Sequence, residues 1–145
     1  MVDKTKYSER WEVMWRGGSE DYEVKGGDGG MLQPGQSFDA GCSPPHLEGI
    51  IERLGGKALR DQGKTAVVPG CGRGYDVETL AKYTVSATGL EYAPTAVESA
   101  QKYLASKGVE NASVVQCDFF NPTVGKTFDV GYGAFELNLP RLAWL

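Results

Sequence analysis

The sequence predicts a protein of the α/β class, a parallel sheet flanked by helices, and three observations carry that prediction. Short runs of β-type residues alternate with stretches whose apolar residues recur at helical spacing. A glycine-rich turn, Gly70-Cys71-Gly72-Arg73-Gly74, stands between the first of those runs and the helix after it. Two acidic residues, Glu91 and Asp118, close the next two runs. Alternating strands and helices imply βαβ units, which bury a parallel sheet under helices on both faces.

The elements follow in chain order. Tyr7, Trp11 and Trp15 recur at four-residue spacing, which puts three aromatic rings on one face of a short helix after Ser8. A polar loop punctuated by Gly17, Gly18, Gly26, Gly27, Gly29 and Gly30 comes next, so residues 1–43 read as an arm outside the core. Ser43-Pro44-Pro45 signals a helix start, and Leu47, Ile50, Ile51 and Leu54 supply its apolar face before Gly55-Gly56 ends it. Thr65 to Val68 is the first strand, and Tyr75 to Lys82 a helix with Val77, Leu80 and Ala81 inward. Ser86 to Leu90 is the second strand. Pro94 opens a longer helix with Ala96, Val97, Ala100, Tyr103 and Leu104 on one face. Ser113 to Cys117 and Phe128 to Tyr132 are the third and fourth strands, after which the alternation stops. The apolar tail from Leu137 to Leu145 contains Pro140 and continues no pattern.

Composition narrows the function classes. The 145 residues are 41% hydrophobic and carry a net charge of −4, which suits one domain with one core and leaves no basic footprint for nucleic acid or a membrane surface. No apolar run reaches the ~20 residues that span a bilayer. The N-terminus lacks the apolar stretch of a signal peptide, so the expected location is cytoplasmic. Cys42, Cys71 and Cys117 are odd in number and widely spaced, the pattern of reduced thiols rather than of a disulfide framework or a zinc site. His46 is the one histidine, and with Cys42 it lies in a Gly/Pro-rich stretch with no third partner for a nucleophile and base. No metal is expected.

The chemistry concentrates at strand ends. Glycines between a strand and a helix let the backbone turn sharply and approach a ligand closely. A glycine-rich turn alone is weak evidence. Glu91 lies 21 positions after Gly70, where an acid is placed to receive a ribose diol; standing alone it would be an exposed strand-end carboxylate. Asp118 can accept from an adenine amino group while Phe119 packs on the ring; standing alone the pair would be a turn followed by core aromatics. Three such features at three successive strand ends form a coherent nucleoside site. A dinucleotide fingerprint wants glycine or alanine five positions after the first glycine, and here that position is Tyr75, whose ring crowds a pyrophosphate. A cofactor without phosphates, S-adenosyl-L-methionine, fits the turn better than NAD(P).

Gly70 to Asp76, Gly89-Leu90-Glu91-Tyr92, Pro94 to Val97, Cys117-Asp118-Phe119-Phe120 and Phe128-Asp129-Val130 together resemble the thiol and halide methyltransferases of the thiopurine methyltransferase superfamily. Upstream, Trp11 and Trp15 resemble that family's N-terminal tryptophans, and Gln36 to Gly41 resembles its W/F-D-x-G element. The match spans residues 10–132. It implies a Rossmann-like class I methyltransferase fold with its C-terminal strands missing: an arm, 1–43, covering the cofactor site, and a partial S-adenosyl-L-methionine-binding domain, 44–145. Residue by residue, it implies that Trp15 and Phe38 close over the cofactor, Gly70 and Gly72 face its methionine, Glu91 its ribose, and Asp118 with Phe119 its adenine. The family's Tyr-Asp-Tyr-like stretch after the fourth strand is here Tyr132-Gly133-Ala134-Phe135.

The implied reaction is displacement at a sulfonium methyl by a small thiol, sulfide or halide, in which orientation supplies most of the rate. Aromatic faces favour a sulfonium, giving Tyr7, Trp11, Trp15, Phe38 and Tyr132 a role beside covering the core. No catalytic residue is assigned. Two alternatives stand beside the enzyme: a catalytically incomplete cofactor-binding fragment, whose fourth strand would expose an edge, and an NAD(P)-dependent oxidoreductase. The sequence assigns no oligomeric state.

Overall fold

The computed structural model describes residues 4–19, 22–23, 31–119, 125–133 and 143–144. Five strands form one parallel sheet: β3 (Thr65–Pro69), β4 (Ser86–Glu91), β5 (Ala112–Gln116), β6 (Val130–Gly131) and β7 (Ala143–Trp144), in the order β5-β4-β3-β6-β7. From β3 the chain steps outward to β4 and β5 on one side, then returns to β6 on the other. The reversal beside β3 is where open α/β sheets form a crevice for ligands.

Alternation along β3 explains its burial. Ala66 and Val68 enter one apolar cluster, while Val67 joins Leu90 and Phe128 in another, so both faces of the strand are buried. Helices flank the sheet: α2 (Leu47–Arg53), α3 (Ala58–Asp61), α4 (Tyr75–Ala81) and α5 (Pro94–Ser106) all contribute to the first cluster. Val77, Leu80 and Ala81 are buried there as their spacing predicts, with Val97, Ala100 and Leu104; Tyr103 packs against the cluster from its margin. Gly89 is a tight point in the core. A Cβ on it would lie 2.5 Å from Cys71 Sγ and 3.0 Å from Val77 Cγ2, so only glycine fits between β4 and the turn above it.

Several expectations are corrected. Helix α1 runs over Lys4–Trp15, so Ser8 lies inside it rather than at its start. The loop after it is interrupted by an antiparallel pair, β1 (Gly18–Ser19) with β2 (Tyr22–Glu23). Helix α2 starts at Leu47, later than Ser43-Pro44-Pro45 predicts, because the Ser43 hydroxyl pairs with Thr79 Oγ1 at 2.9 Å instead of capping the helix. Leu54 is exposed, being the residue at which α2 ends. The apolar tail does continue the sheet: Ala143 and Trp144 pair in parallel with Val130 and Gly131, which covers the β6 edge expected to be open. The four-residue α3 went unpredicted. Gly26, Gly27, Gly29, Gly30, Phe120, Ala134, Phe135 and the ring of Tyr7 lie outside the described residues.

Candidate functional site

Strand register sets the floor of the site. Pro69 pairs with Leu90, and Glu91 with Gln116, so Gly70, Glu91 and the segment after β5 emerge along one rim of the sheet. Cys71 N–H donates to the Leu90 carbonyl at 3.2 Å and Cys117 N–H to that of Glu91 at 2.9 Å, carrying the ladder into the loops. Gly70 and Gly72 have φ of +61° and +54°, the left-handed region that glycine occupies without steric cost. A Cβ on Gly70 would stand 3.4 Å from the Phe119 ring, and one on Gly72 would stand 3.4 Å from the Trp15 ring. The turn is therefore a shallow cradle between two aromatic walls.

Glu91, the last residue of β4, is only 6% exposed, not the solvated strand-end carboxylate it would be if it stood alone. Three backbone N–H groups donate to it: Gly72 to Oε2 at 2.9 Å, Tyr92 and Ala93 to Oε1 at 2.8 and 3.1 Å. Burial raises its pKa and these hydrogen bonds pull it down, the balance lying above the usual carboxylate value. Burial, with the Glu91 charge adding, also pushes the Cys71 thiol well up, which disfavours its thiolate. Cys117 is raised by burial and by Asp118.

The arm supplies the roof. Phe38 meets Trp11 and Trp15 edge-to-face, with ring centres 5.3 and 5.6 Å apart. Trp15 is 4% exposed and packs with Leu32, Ala93 and Ala96, while Phe38 is 40% exposed and forms the outer lip. Glu12 fixes α1 to the first turn of α5, accepting from the Thr95 backbone N–H at 3.0 Å and from its hydroxyl.

Roof and floor enclose a cavity of about 420 Å³, within the ~300–1,000 Å³ of small-molecule sites. The seven residues expected to hold the cofactor line it: Trp15, Phe38, Gly70, Gly72, Glu91, Asp118 and Phe119; Tyr132, offered as a further aromatic face, packs against the core instead. Trp11, Asp39, Cys42, Arg73, Tyr75, Tyr92 and Asp76 also line it. His46 does not, and is exposed. The residue that sequence reasoning missed is Arg73, whose Nε donates to Asp39 Oδ2 at 2.7 Å in a nearly buried ion pair. No spacing rule links positions 34 apart. Tyr75, beside that pair, has its pKa pushed up to about 12 by burial and by the Asp39 carboxylate.

An open parallel sheet with a cavity at its reversal point is the arrangement of α/β proteins that take small molecules at their strand ends. Residues 60–133, about half the chain, match the methyltransferase domain family, and the chain belongs to it. It is 33% identical over 99 residues to "Probable thiol methyltransferase 2" of Arabidopsis thaliana, an alignment covering 66% of this chain and 43% of that protein. Among solved structures, the one reported for conversion of a disulfide bond into a thioacetal group during echinomycin biosynthesis superposes with a TM-score of 0.64. Identity there is 23%, over 88% of this chain and 47% of that one. The S-adenosylmethionine-bound amino pentose methyltransferase CalS10 of Micromonospora echinaspora superposes with a TM-score of 0.50 at 26% identity, over 62% of this chain and 35% of that one. The chain thus spans less than half the length of each of these relatives. Among the described residues no helix is long and apolar enough to cross a membrane.

Proposed function

We propose that the cavity holds S-adenosyl-L-methionine and that the protein transfers its methyl group to a small thiol, sulfide or halide. The observation that carries the reading is the convergence, on one cavity, of a buried carboxylate, a glycine cradle and an aromatic roof. The residues fit that cofactor. A carboxylate offers about four lone-pair positions, and Glu91 commits three to backbone N–H groups, leaving one acceptor for a ribose hydroxyl. Gly70 and Gly72, in the left-handed region that disfavours any Cβ, admit the methionine portion between Phe119 and Trp15. Asp118 and Phe119, which follow β5 after Cys117 and line the cavity, receive the adenine edge and face on this reading.

When bound, the cofactor supplies an electrophilic methyl on a sulfonium whose leaving group is a neutral thioether. The chain's own contribution is to orient and to exclude water. Trp15 and Phe38 cover the cavity, and an aromatic face beside a cation contributes ~0.5–2 kcal/mol. Near-attack alignment accounts for up to ~7–11 kcal/mol of barrier in well-oriented systems. A thiolate or halide needs no base at attack, which accords with an exposed His46 that does not line the cavity. The acceptor class is supported by the resemblance of the motifs and by the thiol methyltransferase relative.

The test is transfer of radiolabelled methyl from S-adenosyl-L-methionine to a panel of a thiol, sulfide, iodide and a primary amine. Label entering the thiol, sulfide or iodide and not the amine is expected. Label entering only the amine overturns the acceptor class.

A further inference from the structure

Among the described residues the arm is fastened by Ser43 on Thr79, by Trp15 packed on Ala93 and Ala96, and by two charged side chains, Glu12 and Arg73. Glu12 on Thr95 ties α1 to α5, away from the glycine turn. Arg73 is placed differently, because it belongs to the turn itself, between Gly72 and Gly74. Its guanidinium reaches three parts of the arm at once. Nε donates to Asp39 at 2.7 Å, Nη2 donates to the Leu32 carbonyl at 2.8 Å, and Cζ lies 5.3 Å from the centre of the Trp15 ring. All three partners are buried, at 6%, 3% and 4% exposure. A planar fork that donates in two directions and stacks on an aromatic face is specific to arginine; a lysine ammonium keeps only the charge. The other oxygen of Asp39 accepts from Gly41 N–H at 2.9 Å, so the same carboxylate fixes the turn that carries Phe38.

We propose that Arg73 is a positioning residue that latches the aromatic roof to the glycine floor and thereby sets how long a ligand stays in the cavity. The ligand used to test this rests on the proposed cofactor; the latch itself does not. A cavity closed by a hinged cover releases its ligand only as fast as the cover lifts. Loss of the latch therefore falls on dissociation rather than association.

The experiment follows S-adenosylhomocysteine dissociation by stopped flow, and backbone hydrogen exchange of residues 31–41 in the ligand-free chain. It compares the parent with Arg73→Met, Arg73→Lys and Asp39→Asn. Arg73→Met should release the ligand at least about tenfold faster with association little changed. It should also speed exchange over residues 31–41 while leaving β3 and β4 protected. Arg73→Lys should fall between, since it keeps the charge opposite Asp39 and loses the fork, a graded rescue that mere packing would not produce. Dissociation from Arg73→Met within about twofold of the parent overturns the latch. Should Arg73→Met not fold, Asp39→Asn removes the same ion pair from the arm side and is held to the same criterion. If the parent binds no S-adenosylhomocysteine, the cofactor reading fails on its own, and unchanged exchange over residues 31–41 in the variants then overturns the latch.

Discussion

The floor and the roof of the cavity are built on different principles. The floor is continuous with the sheet: Glu91, Gly70 and Gly72 sit at strand ends whose backbone groups are already paired, and Glu91 is tied by three further N–H groups. The roof is a separate segment held by a few long-range contacts, Glu12 on Thr95 and Arg73 on Asp39 and Leu32. A floor lesion therefore damages the fold and the site together, whereas a lesion at the exposed lip of the roof, Phe38, falls mainly on the site. On the proposed reading, recognition by the floor and retention by the roof are separable by mutation.

The sharpest break is Glu91→Ala. It leaves the N–H groups of Gly72 and Tyr92, half-buried, and of Ala93, buried, without their acceptor, and one charged hydrogen bond network of this kind is worth about 3 kcal/mol. Chemical denaturation should show that loss, with cofactor binding abolished in whatever fraction remains folded. Gly72→Ala comes next. It forces a left-handed residue to carry a Cβ, at about 1–2 kcal/mol, and sets that Cβ against Trp15 where the ligand is to lie, so stability and affinity should both fall, by less than for Glu91→Ala.

Phe38→Ala should separate the two regions. The side chain is 40% exposed, so unfolding free energy should stay within about 0.5 kcal/mol of the parent. Affinity for S-adenosyl-L-methionine should drop by about 1 kcal/mol, and by less for the neutral S-adenosylhomocysteine, because the lost ring faces a sulfonium only in the former. Equal losses for both ligands would remove the cation from the explanation.

The smallest effect is a pH dependence at the floor. Burial raises the pKa of Asp76, and its Oδ1 has no hydrogen-bond partner among the described residues. The folded state thus holds a proton that the unfolded state has released, and stability falls as pH rises from the ordinary aspartate range through the raised value. Asp76→Asn removes that term. It should stabilise the protein by under about 1 kcal/mol at neutral pH and by nothing well below the ordinary aspartate pKa, read as melting temperature against pH.

The same contrast governs what the sequence discloses. The floor is local: a strand, a glycine turn and an acid 21 positions on are joined by chain length alone, and β3, α4, β4, α5 and β5 lie within a residue or two of where periodicity puts them. The roof is not local. Trp15 and Phe38 were legible through resemblance, but the Arg73 pair with Asp39 exists only once the arm has folded back. Short elements escaped for a related reason. Four residues of α3 and two of β7 give periodicity nothing to repeat, and the strand at Ala143–Trp144 is defined by its neighbour β6, not by its own pattern. Ser43 misled because its hydroxyl serves Thr79, a partner 36 positions away.

Isothermal titration of the chain with S-adenosylhomocysteine, and separately with NADH, tests the central claim most directly. Saturable binding of S-adenosylhomocysteine at one site per chain, with no heat from NADH beyond dilution, is the predicted result. A folded chain that gives no saturable heat with S-adenosylhomocysteine, or that binds NADH instead, contradicts the account.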